Sequence, residues 1–258
     1  MKINLIFFLS EFIIGGAGNS IFKLCKNLPK NKYNISIISV NKCAYKKEFI
    51  NCGVSVYEVK SSKTILAMPK IKKILEKLID KKNKNIFLSN IYYSNVLSIL
   101  FLRSLDVKII LIERTPFQEL SIYYNFIDFI KKNIIKFLIK HTYFKADICI
   151  SNSRYISKAY NNYYNLNFKT IYPPSFVKLN NFYQKKPKKL KTCIGTVCRL
   201  SKEKRIDKLI KVIAKFKNNL NLRIIGDGPE LKNLKKLITS LNLEKNVIFL
   251  GKILPDKI

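Results

Sequence analysis

Residues 3–18 read INLIFFLSEFIIGGAG, and this stretch decides how the fold begins. Its β-branched and aromatic run at 3–9 predicts a buried strand, and the small residues Gly15, Gly16 and Gly18 stand where a helix should begin. Small residues let a backbone pass close to a ligand, and the free N–H groups at a helix start attract phosphate. The stretch therefore predicts a strand, a loop and a helix with a binding site between them.

Two common phosphate-binding motifs do not fit this loop. A dinucleotide fingerprint requires a third glycine where Ile21 stands, and a tight turn where residues 10–14 lie. A P-loop requires Gly-Lys followed by Ser or Thr, which the loop lacks. A flexible turn without a ligand is the alternative to a binding loop.

Strand-like and helix-like segments alternate along the rest of the N-terminal part. Strands are predicted at 3–9, 34–40, 54–59, 86–89, 107–112, 148–151 and 170–172, and helices at 18–28, 69–82, 93–103, 123–141 and 153–164. Such alternation, with nearly continuous apolar strands, is typical of a parallel sheet covered by helices on both faces. We therefore predict a doubly wound α/β domain.

The alternation breaks at Pro173 and Pro174, because tandem prolines cannot continue a strand ladder. It resumes with strands at 192–198, 221–225 and 246–250 and helices at 204–216 and 230–241. The predicted domains are an N-terminal Rossmann-like domain over 1–175, a basic linker over 176–191 and the first half of a second one over 192–258. The last of these three strands would carry an unpaired apolar edge, so we expect a chain that is cut short.

Residues 197–210 read VCRLSKEKRIDKLI. Arg199 follows a predicted strand, Ser201 is a candidate N-cap, and Lys204 falls in the first turn of the predicted helix. Because cations at a helix N-terminus oppose the macrodipole, Lys202, Lys204 and Arg205 require either solvent screening or an anion between them. A diphosphate would accept charge-assisted hydrogen bonds from such cations. A chance cluster is the alternative in a chain with 49 Lys and Arg residues.

Residues 222–230 read LRIIGDGPE and predict a strand that ends in a glycine turn. Pro229 falls at the first helical position, where its missing N–H costs nothing. Open α/β folds bind their ligands at this carboxyl edge of the sheet, so the turn is a candidate ligand contact. A connecting turn that touches no ligand is the alternative.

The charge of the chain is extreme, with 49 Lys and Arg residues against 16 Asp and Glu, a formal net charge of +33. Basic surfaces bind nucleic acids and anionic membranes by releasing counterions. The lysines, however, are spread along the whole chain and few of the cations are Arg, which is typical of compositional bias rather than of selected phosphate contacts. We predict no nucleic-acid partner, and a polyanion-binding module is an alternative.

Residues 129–140 read FIKKNIIKFLIK and predict a basic amphipathic helix. Lys132, Lys136 and Lys140 fall on one stripe beside a broad apolar face, an arrangement that can lie on an anionic membrane surface. An ordinary helix that covers the sheet is the alternative. No run reaches the roughly 20 apolar residues of a membrane span, and six cysteines without a CxxC pair indicate reduced thiols. We expect a cytoplasmic protein, peripheral on the inner face of the cytoplasmic membrane.

In order along the chain, these segments resemble the family-four glycosyltransferases of the GT-B fold. The matching segments are GGAG at 15–18, ADICISNS at 146–153, IYPP at 171–174, RLSKEK at 199–204 and GDGPE at 226–230. Residues 112–116, IERTP, are similar to a segment that follows the fifth strand in some members. The resemblance implies a GT-B-like fold of two doubly wound Rossmann-like domains, the second one incomplete here.

The resemblance also implies an activity, the transfer of a sugar from a nucleotide-diphosphate donor to a glycan or lipid-linked acceptor with retained anomeric configuration. Cell-surface polysaccharide or lipopolysaccharide synthesis is the implied setting. By this likeness the donor diphosphate would be held by Arg199 and Lys204 and approached by the backbone of Gly15, Gly16 and Gly18. The nucleoside would lie near Gly226, Asp227, Gly228, Pro229, Lys252 and Ile253, and Glu113 and Arg114 are candidates for the acceptor side.

No Asp-x-Asp motif occurs, so we expect neither a metal nor another cofactor. The family's acidic Glu-x7-Glu segment, which contacts the ribose and the transferred sugar, is also missing, so no catalytic residue is assigned. We therefore expect little or no activity from this chain alone, which would be a fragment, a degraded copy or one part of a split enzyme whose second chain supplies the other half. A non-catalytic remnant is the alternative function.

Overall fold

The structure is a computed structural model that describes residues 2–13, 15–173 and 192–253. It divides into two compact units, Met1–Leu179 and Asn180–Ile258, and each is described by itself. Pro174 and the predicted linker over 176–191 lie outside the described residues, as do residues 254–258.

Unit 1 is built on a seven-stranded parallel sheet. Its strands are β1 (Ile3–Leu9), β2 (Tyr33–Ser39), β3 (Ser55–Glu58), β4 (Lys84–Asn90), β5 (Lys108–Glu113), β6 (Ile148–Ser151) and β7 (Phe168–Thr170). They lie in the order β3-β2-β1-β4-β5-β6-β7, with every pair parallel. The direction of winding reverses between β1 and β4, and at such a switch point open α/β folds bind their ligands.

Helices cover both faces of this sheet. They are α1 (Gly16–Asn27), α2 (Lys46–Asn51), α3 (Thr64–Leu78), α4 (Tyr92–Leu102), α5 (Phe126–Thr142) and α6 (Arg154–Tyr164). Alternate side chains of β1 enter two separate apolar clusters: Ile6 and Phe8 pack toward α3 to α6, and Phe7 and Leu9 pack toward α1 and α2. The predicted doubly wound α/β architecture is confirmed.

Two helices of unit 1 differ from the prediction. Helix α3 begins at Thr64 rather than at Pro69, because Ala67 and Met68 are fully buried and extend its apolar stripe by a turn. Pro69 lies on the exposed side within the helix. Helix α2 was not predicted, since its six residues bury only Phe49 and are too short to show a helical period.

Unit 2 has a three-stranded parallel sheet in the order β10-β9-β8. Its elements are β8 (Thr192–Val197), α7 (Ile206–Lys215), β9 (Leu220–Ile225), α8 (Leu231–Ser240) and β10 (Val247–Gly251). One face of the sheet packs on α7 and α8 in a core that contains Leu222, Ile224 and Ile210. The second predicted α/β unit is therefore present, with a smaller sheet.

The other face of this small sheet exposes Arg223 and several apolar side chains. Val197 is 57% exposed, Ile248 48% and Leu250 43%, and the thiol-bearing Cys193 is also exposed. Within residues 192–253, β8 pairs with β9 on one side and with no strand on the other. The edge of β8 is thus open to a further strand.

The start of α7 contradicts the sequence prediction. Residues Lys202–Lys204 form a 3₁₀ turn, and Arg205 adopts a left-handed conformation with φ of 51° before the helix begins at Ile206. Ser201 therefore does not cap α7, and Lys204 does not lie in its first turn. The stripe of Ile206, Ile210 and Ile213 explains the later start, since the helix begins where core contacts begin.

Candidate functional site

The glycine loop of unit 1 lies at the carboxyl end of β1. Helix α1 begins there at Gly16 with Gly15 as N-cap, and no side chain caps it. An added Cβ at Gly15 or Gly16 would meet nothing within 4 Å, whereas one at Gly18 would lie 2.9 Å from the carbonyl oxygen of Ile13 and 3.0 Å from the ring of Tyr45. Gly18 is required by packing, and Gly15 and Gly16 leave their backbone open to a ligand.

A cavity of about 360 Å³ borders this loop. Its lining includes Ser10, Glu11, Gly15, Gly16, Ile91 and Ser94. The hydroxyl oxygens of Ser10 and Ser94 lie 2.6 Å apart, and the hydroxyl of Thr64 donates to Ser10 at 3.2 Å. The cavity is mostly apolar and carries two hydroxyl groups at the switch point between β1 and β4, where open α/β folds bind their ligands.

Ile91, which lines the same cavity, has a strained backbone. It precedes α4 with φ of 73° and ψ of 139°, a conformation that β-branched residues rarely adopt. The strain is held by the Ile91 N–H, which donates to the carbonyl oxygen of Ile112 at 2.9 Å. Strained residues of this kind cluster at functional sites. No sequence pattern identified Ile91, because an isoleucine gives no sign of a positive φ.

Glu113 ends β5 with its side chain completely buried. The hydroxyl of Tyr143 donates a hydrogen bond to Oε1, and Nδ2 of Asn95 donates to the same oxygen at 2.8 Å. Among the described residues Oε2 has no partner. Burial raises the pKa of Glu113 to about 7 against these hydrogen bonds, which lower it. Glu113 therefore lies beneath the surface and exchanges a proton near neutral pH.

Arg114 points to the opposite face of the sheet, as alternation along a strand requires. Its Nε donates to Oδ1 of Asn90 at 3.0 Å and its Nη1 donates to the hydroxyl of Ser20 at 2.7 Å. Asn90 ends β4 and Ser20 lies in α1, so Arg114 ties two strand ends to the helix of the glycine loop. Burial lowers the pKa of this guanidinium.

In unit 2 the loops that follow the three strands are joined by backbone hydrogen bonds. The N–H of Leu200 donates to the carbonyl oxygen of Asp227 at 2.9 Å, and the N–H of Glu230 donates to that of Leu200 at 3.0 Å. Gly226 donates to Gly251 at 2.8 Å, directly before Lys252. The segments RLSKEK and GDGPE, predicted separately, therefore meet at one sheet edge.

The glycines of GDGPE are required by this close approach. Gly226 has φ of 142°, and an added Cβ would lie 1.8 Å from the carbonyl oxygen of Cys198. At Gly228 an added Cβ would lie 2.3 Å from the carbonyl oxygen of Leu200. The carboxylate of Asp227 accepts a hydrogen bond from the N–H of Gly228 at 2.7 Å. Pro229 is exposed beside them at the same edge.

Arg199 and Lys204 are both exposed at this edge. Within residues 192–253 neither forms a salt bridge, whereas the neighbouring Arg205 pairs with Asp207 at 3.5 Å. Partial burial raises the pKa of Glu203, but the hydrogen bond from Ser201 and the charges of Lys204 and Arg199 lower it overall. The two cations therefore lie near a single carboxylate and leave a net positive site, while Lys252 and Ile253 follow β10 at the same edge.

Two protein-family models match the chain, one over each part. Residues 14–174 match the family described as Glycosyltransferase Family 4. The chain belongs to this family. Residues 178–258 match a second description, Glycosyl transferases group 1. The chain is thus a glycosyltransferase, as its sequence segments predicted.

Solved structures show the same fold for this glycosyltransferase. Anabaena Alr3699/HepE in complex with UDP-glucose is 17% identical with a TM-score of 0.72, over 98% of this chain and 70% of that chain. Sucrose-phosphate synthase from Thermosynechococcus elongatus is 13% identical with a TM-score of 0.74, over 98% and 71%. The lipopolysaccharide outer core galactosyltransferase WaaB in apo form is 18% identical with a TM-score of 0.62, over 98% and 68%. The predicted GT-B-like fold is confirmed.

No curated protein matches the glycosyltransferase in sequence. Of the helices in the described part of the chain, none is long and apolar enough to cross a bilayer. Residues 2–13, 15–173 and 192–253 bring together no group of three His, Cys, Asp or Glu side chains that could hold a metal ion.

Proposed function

We propose that this glycosyltransferase moves a sugar from a nucleoside-diphosphate donor to a glycan or lipid-linked acceptor with retention of configuration. The observation that carries the proposal is the exposed pair Arg199 and Lys204 at the carboxyl edge of the second sheet. A departing nucleoside diphosphate gains charge in the transition state, and cations already in place stabilise that charge selectively. The similar HepE structure contains UDP-glucose, which supports a donor of this class.

The rest of the donor site follows from the joined loops of unit 2. The backbone of 226–229 and the residues Lys252 and Ile253 are placed at the same edge as the two cations, and we assign the nucleoside to them. Gly15 and Gly16 have open backbone at a helix start, which suits a phosphate. Arg199 and Lys204 supply the charge that a divalent metal supplies elsewhere, so the proposed reaction needs no metal.

We assign the acceptor to the cavity beside the glycine loop. Arg114 lies close to that loop through Ser20, while Glu113 is buried and acts as a positioning residue rather than as an acceptor contact. WaaB, a similar structure, is a lipopolysaccharide outer core galactosyltransferase, which supports a role in cell-surface polysaccharide or lipopolysaccharide synthesis. We place this role at the cytoplasmic side of the membrane.

The open edge of β8 suggests how the catalytic residues, which were not assigned above, reach the donor site. We propose that a further parallel strand pairs with β8 and that its unit brings the acidic Glu-x7-Glu segment to the donor sugar. The strand would come from a continuation of this chain or from a second chain. The exposed apolar face formed by Val197, Ile248 and Leu250 supports this proposal, since an added unit would bury it. On this basis the 258-residue chain has little or no turnover by itself.

Titration calorimetry with UDP tests the donor site directly. We expect saturable binding by the 258-residue chain that EDTA leaves unchanged, because the cations hold the diphosphate. Binding that requires added Mg²⁺ would overturn the metal-free site, and no saturable binding would overturn the donor assignment. Turnover of a labelled UDP-sugar by the same chain, measured with a glycan acceptor, would overturn the requirement for a further strand.

A further inference from the structure

Helix α5 is apolar on two opposite sides. Ile135 and Ile139 are buried in the core of unit 1. On the outward side, Phe126 is 74% exposed, Ile134 52% and Phe137 62%. With Ile130, these residues recur at intervals of three and four and form one continuous stripe. A helix that merely covers a sheet presents polar residues to solvent on this side, so the outward stripe requires another explanation.

The segment before α5 extends this stripe. The ammonium of Lys132 donates to the carbonyl oxygen of Ile122, and that of Lys136 donates to the hydroxyl of Tyr123 at 3.0 Å. Asn125 caps the helix by accepting from the N–H of Asp128 at 2.8 Å. The segment is therefore held against the helix. The outward apolar residues, which we call the α5 surface, are Ile122, Tyr123, Tyr124, Phe126, Ile127, Phe129, Ile130, Ile134, Phe137 and Phe144.

The unpaired charges in the segment that carries the α5 surface are cationic. Asp128 is the only acid between residues 121 and 146, and it is paired with Lys132 at 2.8 Å. Lys131 and Lys140 are exposed on either flank of the stripe, and Lys145 lies 5.6 Å from the ring centre of Phe144. The surface thus has an apolar centre and a cationic rim.

This arrangement corrects the residues first assigned to membrane contact. The sequence pointed to Lys132, Lys136 and Lys140 as the binding stripe, but the first two hold the preceding segment in place. The side chain of Lys132 is 15% exposed. The apolar residues between the remaining lysines are the side chains that this face presents to solvent.

We propose that the α5 surface inserts into the headgroup region of an anionic lipid bilayer. Aromatic and aliphatic side chains would enter the acyl boundary, Tyr123 and Tyr124 would lie at headgroup level, and the lysine rim would meet the lipid phosphates. A second copy of the chain fits the surface poorly, because a two-fold interface would enclose the lysine rims of both copies, and the only acid within residues 121–146, Asp128, is already paired. The inference goes beyond the proposed function and does not depend on donor binding.

A single tryptophan tests the insertion, since the chain contains none. The variant Phe137→Trp reports on the α5 surface, and Leu66→Trp, at a residue of α3 that is 61% exposed, is the control. With vesicles of phosphatidylcholine and phosphatidylglycerol we expect a blue shift and quenching by brominated lipid for Phe137→Trp alone. Vesicles of phosphatidylcholine should give neither, and high salt should weaken both.

Serine substitutions give a second measurement. The triple variant Phe126→Ser, Ile130→Ser, Phe137→Ser should partition into anionic vesicles at least tenfold less in co-sedimentation, because it removes apolar surface that insertion would bury. The control triple Ile50→Ser, Leu66→Ser, Tyr155→Ser removes equally exposed side chains from other helices and should bind like the parent. Unchanged circular dichroism and an unchanged denaturant midpoint in both triples would show intact folds.

Three results would overturn the proposal. The first is binding of equal strength to neutral and anionic vesicles, which would remove the role of the lysine rim. The second is equal loss in the two serine triples. The third is no vesicle binding together with a concentration-dependent dimer in sedimentation equilibrium that the Phe126, Ile130 and Phe137 substitutions abolish, which would make the surface an interface between copies.

Discussion

An added Cβ at Gly16 meets nothing within 4 Å, whereas one at Gly226 would lie 1.8 Å from the carbonyl oxygen of Cys198. Both glycines stand at the carboxyl edge of a parallel sheet, in segments that look equally suited to a ligand. The contrast teaches that glycine at such an edge serves two purposes. At Gly226 it lets two loops of the protein meet, and at Gly16 it leaves backbone accessible.

The charged groups show the reverse contrast, since they are buried in unit 1, where the glycine backbone is open, and exposed in unit 2, where the glycines are packed. Unit 1 buries Glu113 and most of Arg114 against strand ends and helices, while unit 2 exposes Arg199 and Lys204. Exposed cations can reach a ligand, and buried ones organise the structure around it. We therefore expect substitutions in unit 1 to change stability and substitutions of the unit 2 cations to change binding.

The largest expected effect is that of Gly226→Ala. The left-handed φ and the contact with Cys198 each cost roughly 1–3 kcal/mol, so the free energy of unfolding of unit 2 should fall by about 3 kcal/mol or more. Chemical denaturation, monitored by hydrogen exchange of amides in unit 2, measures this loss in unfolding free energy. Gly195→Ala is the matched control, since a Cβ there meets nothing within 4 Å. Equal losses in the two variants would contradict the packing role.

A pH-dependent effect should follow from Glu113. Its pKa is raised by burial to about 7 in the folded protein, so the folded state keeps a proton that the unfolded state has released. This contribution to stability is complete below the unfolded pKa near 4.5 and is lost as the pH rises toward 7. The loss is about 3 kcal/mol.

Denaturant unfolding at pH 4.5 and pH 7.5 measures this difference. The variant Glu113→Gln should lack that part of the pH dependence, while Glu76→Gln, at an exposed site on α3, should keep it. If Glu113→Gln and the parent show the same pH profile, the carboxyl does not titrate between the folded and unfolded states as burial requires.

The unit 2 cations should affect binding alone. Arg199→Ala and Lys204→Ala should each raise the Kd for UDP by roughly tenfold to a hundredfold, which corresponds to about 1.5–3 kcal/mol for a charge-assisted hydrogen bond. Their unfolding free energy should not change, because both side chains are exposed. Lys208→Ala and Lys211→Ala, on exposed positions of α7, are the controls. A similar loss in the controls would mean that overall charge, not the site, binds UDP.

The smallest expected effect on stability is that of Gly16→Ala. A methyl group fits there and the helix favours it, so unfolding should change by less than about 1 kcal/mol, in the stabilising direction. UDP binding should nevertheless weaken several-fold, because the methyl group would stand between the phosphate and the backbone. Calorimetry of this variant beside Gly195→Ala measures it. Unchanged binding would make the GGAG loop an ordinary helix start.

Much of the fold follows from local patterns. The apolar runs at 3–9 and 148–151 are strands with the predicted ends, since β-branched runs between turns have few other stable arrangements. The predicted start of helix α3 was five residues too late, because proline is typical of the first turn of a helix, whereas Pro69 lies inside this one. The prediction that Lys204 lies in the first turn of α7 was wrong, because Arg205 adopts a left-handed conformation between the 3₁₀ turn and the helix. No sequence pattern indicates this conformation.

The candidate site was predictable in its segments and not in its contacts. Glu113 meets Asn95 and Tyr143, which are 18 and 30 residues away along the chain, and no local spacing encodes such a meeting. The same holds for Leu200 and Asp227, whose hydrogen bond joins two loops. The roles of the donor-binding residues stay predictions until the variants above are measured.

By itself, the sequence determined most of the strands and helices along the chain, the glycine turns at the sheet edges and the family, because these depend on periodicity and on short segments in a fixed order. Only the tertiary structure decided which glycines are packed and which are open, which charges are buried, and that α5 shows an apolar face to solvent. Those properties arise from contacts between distant parts of the chain, and burial, which sets both pKa and accessibility, exists only after folding.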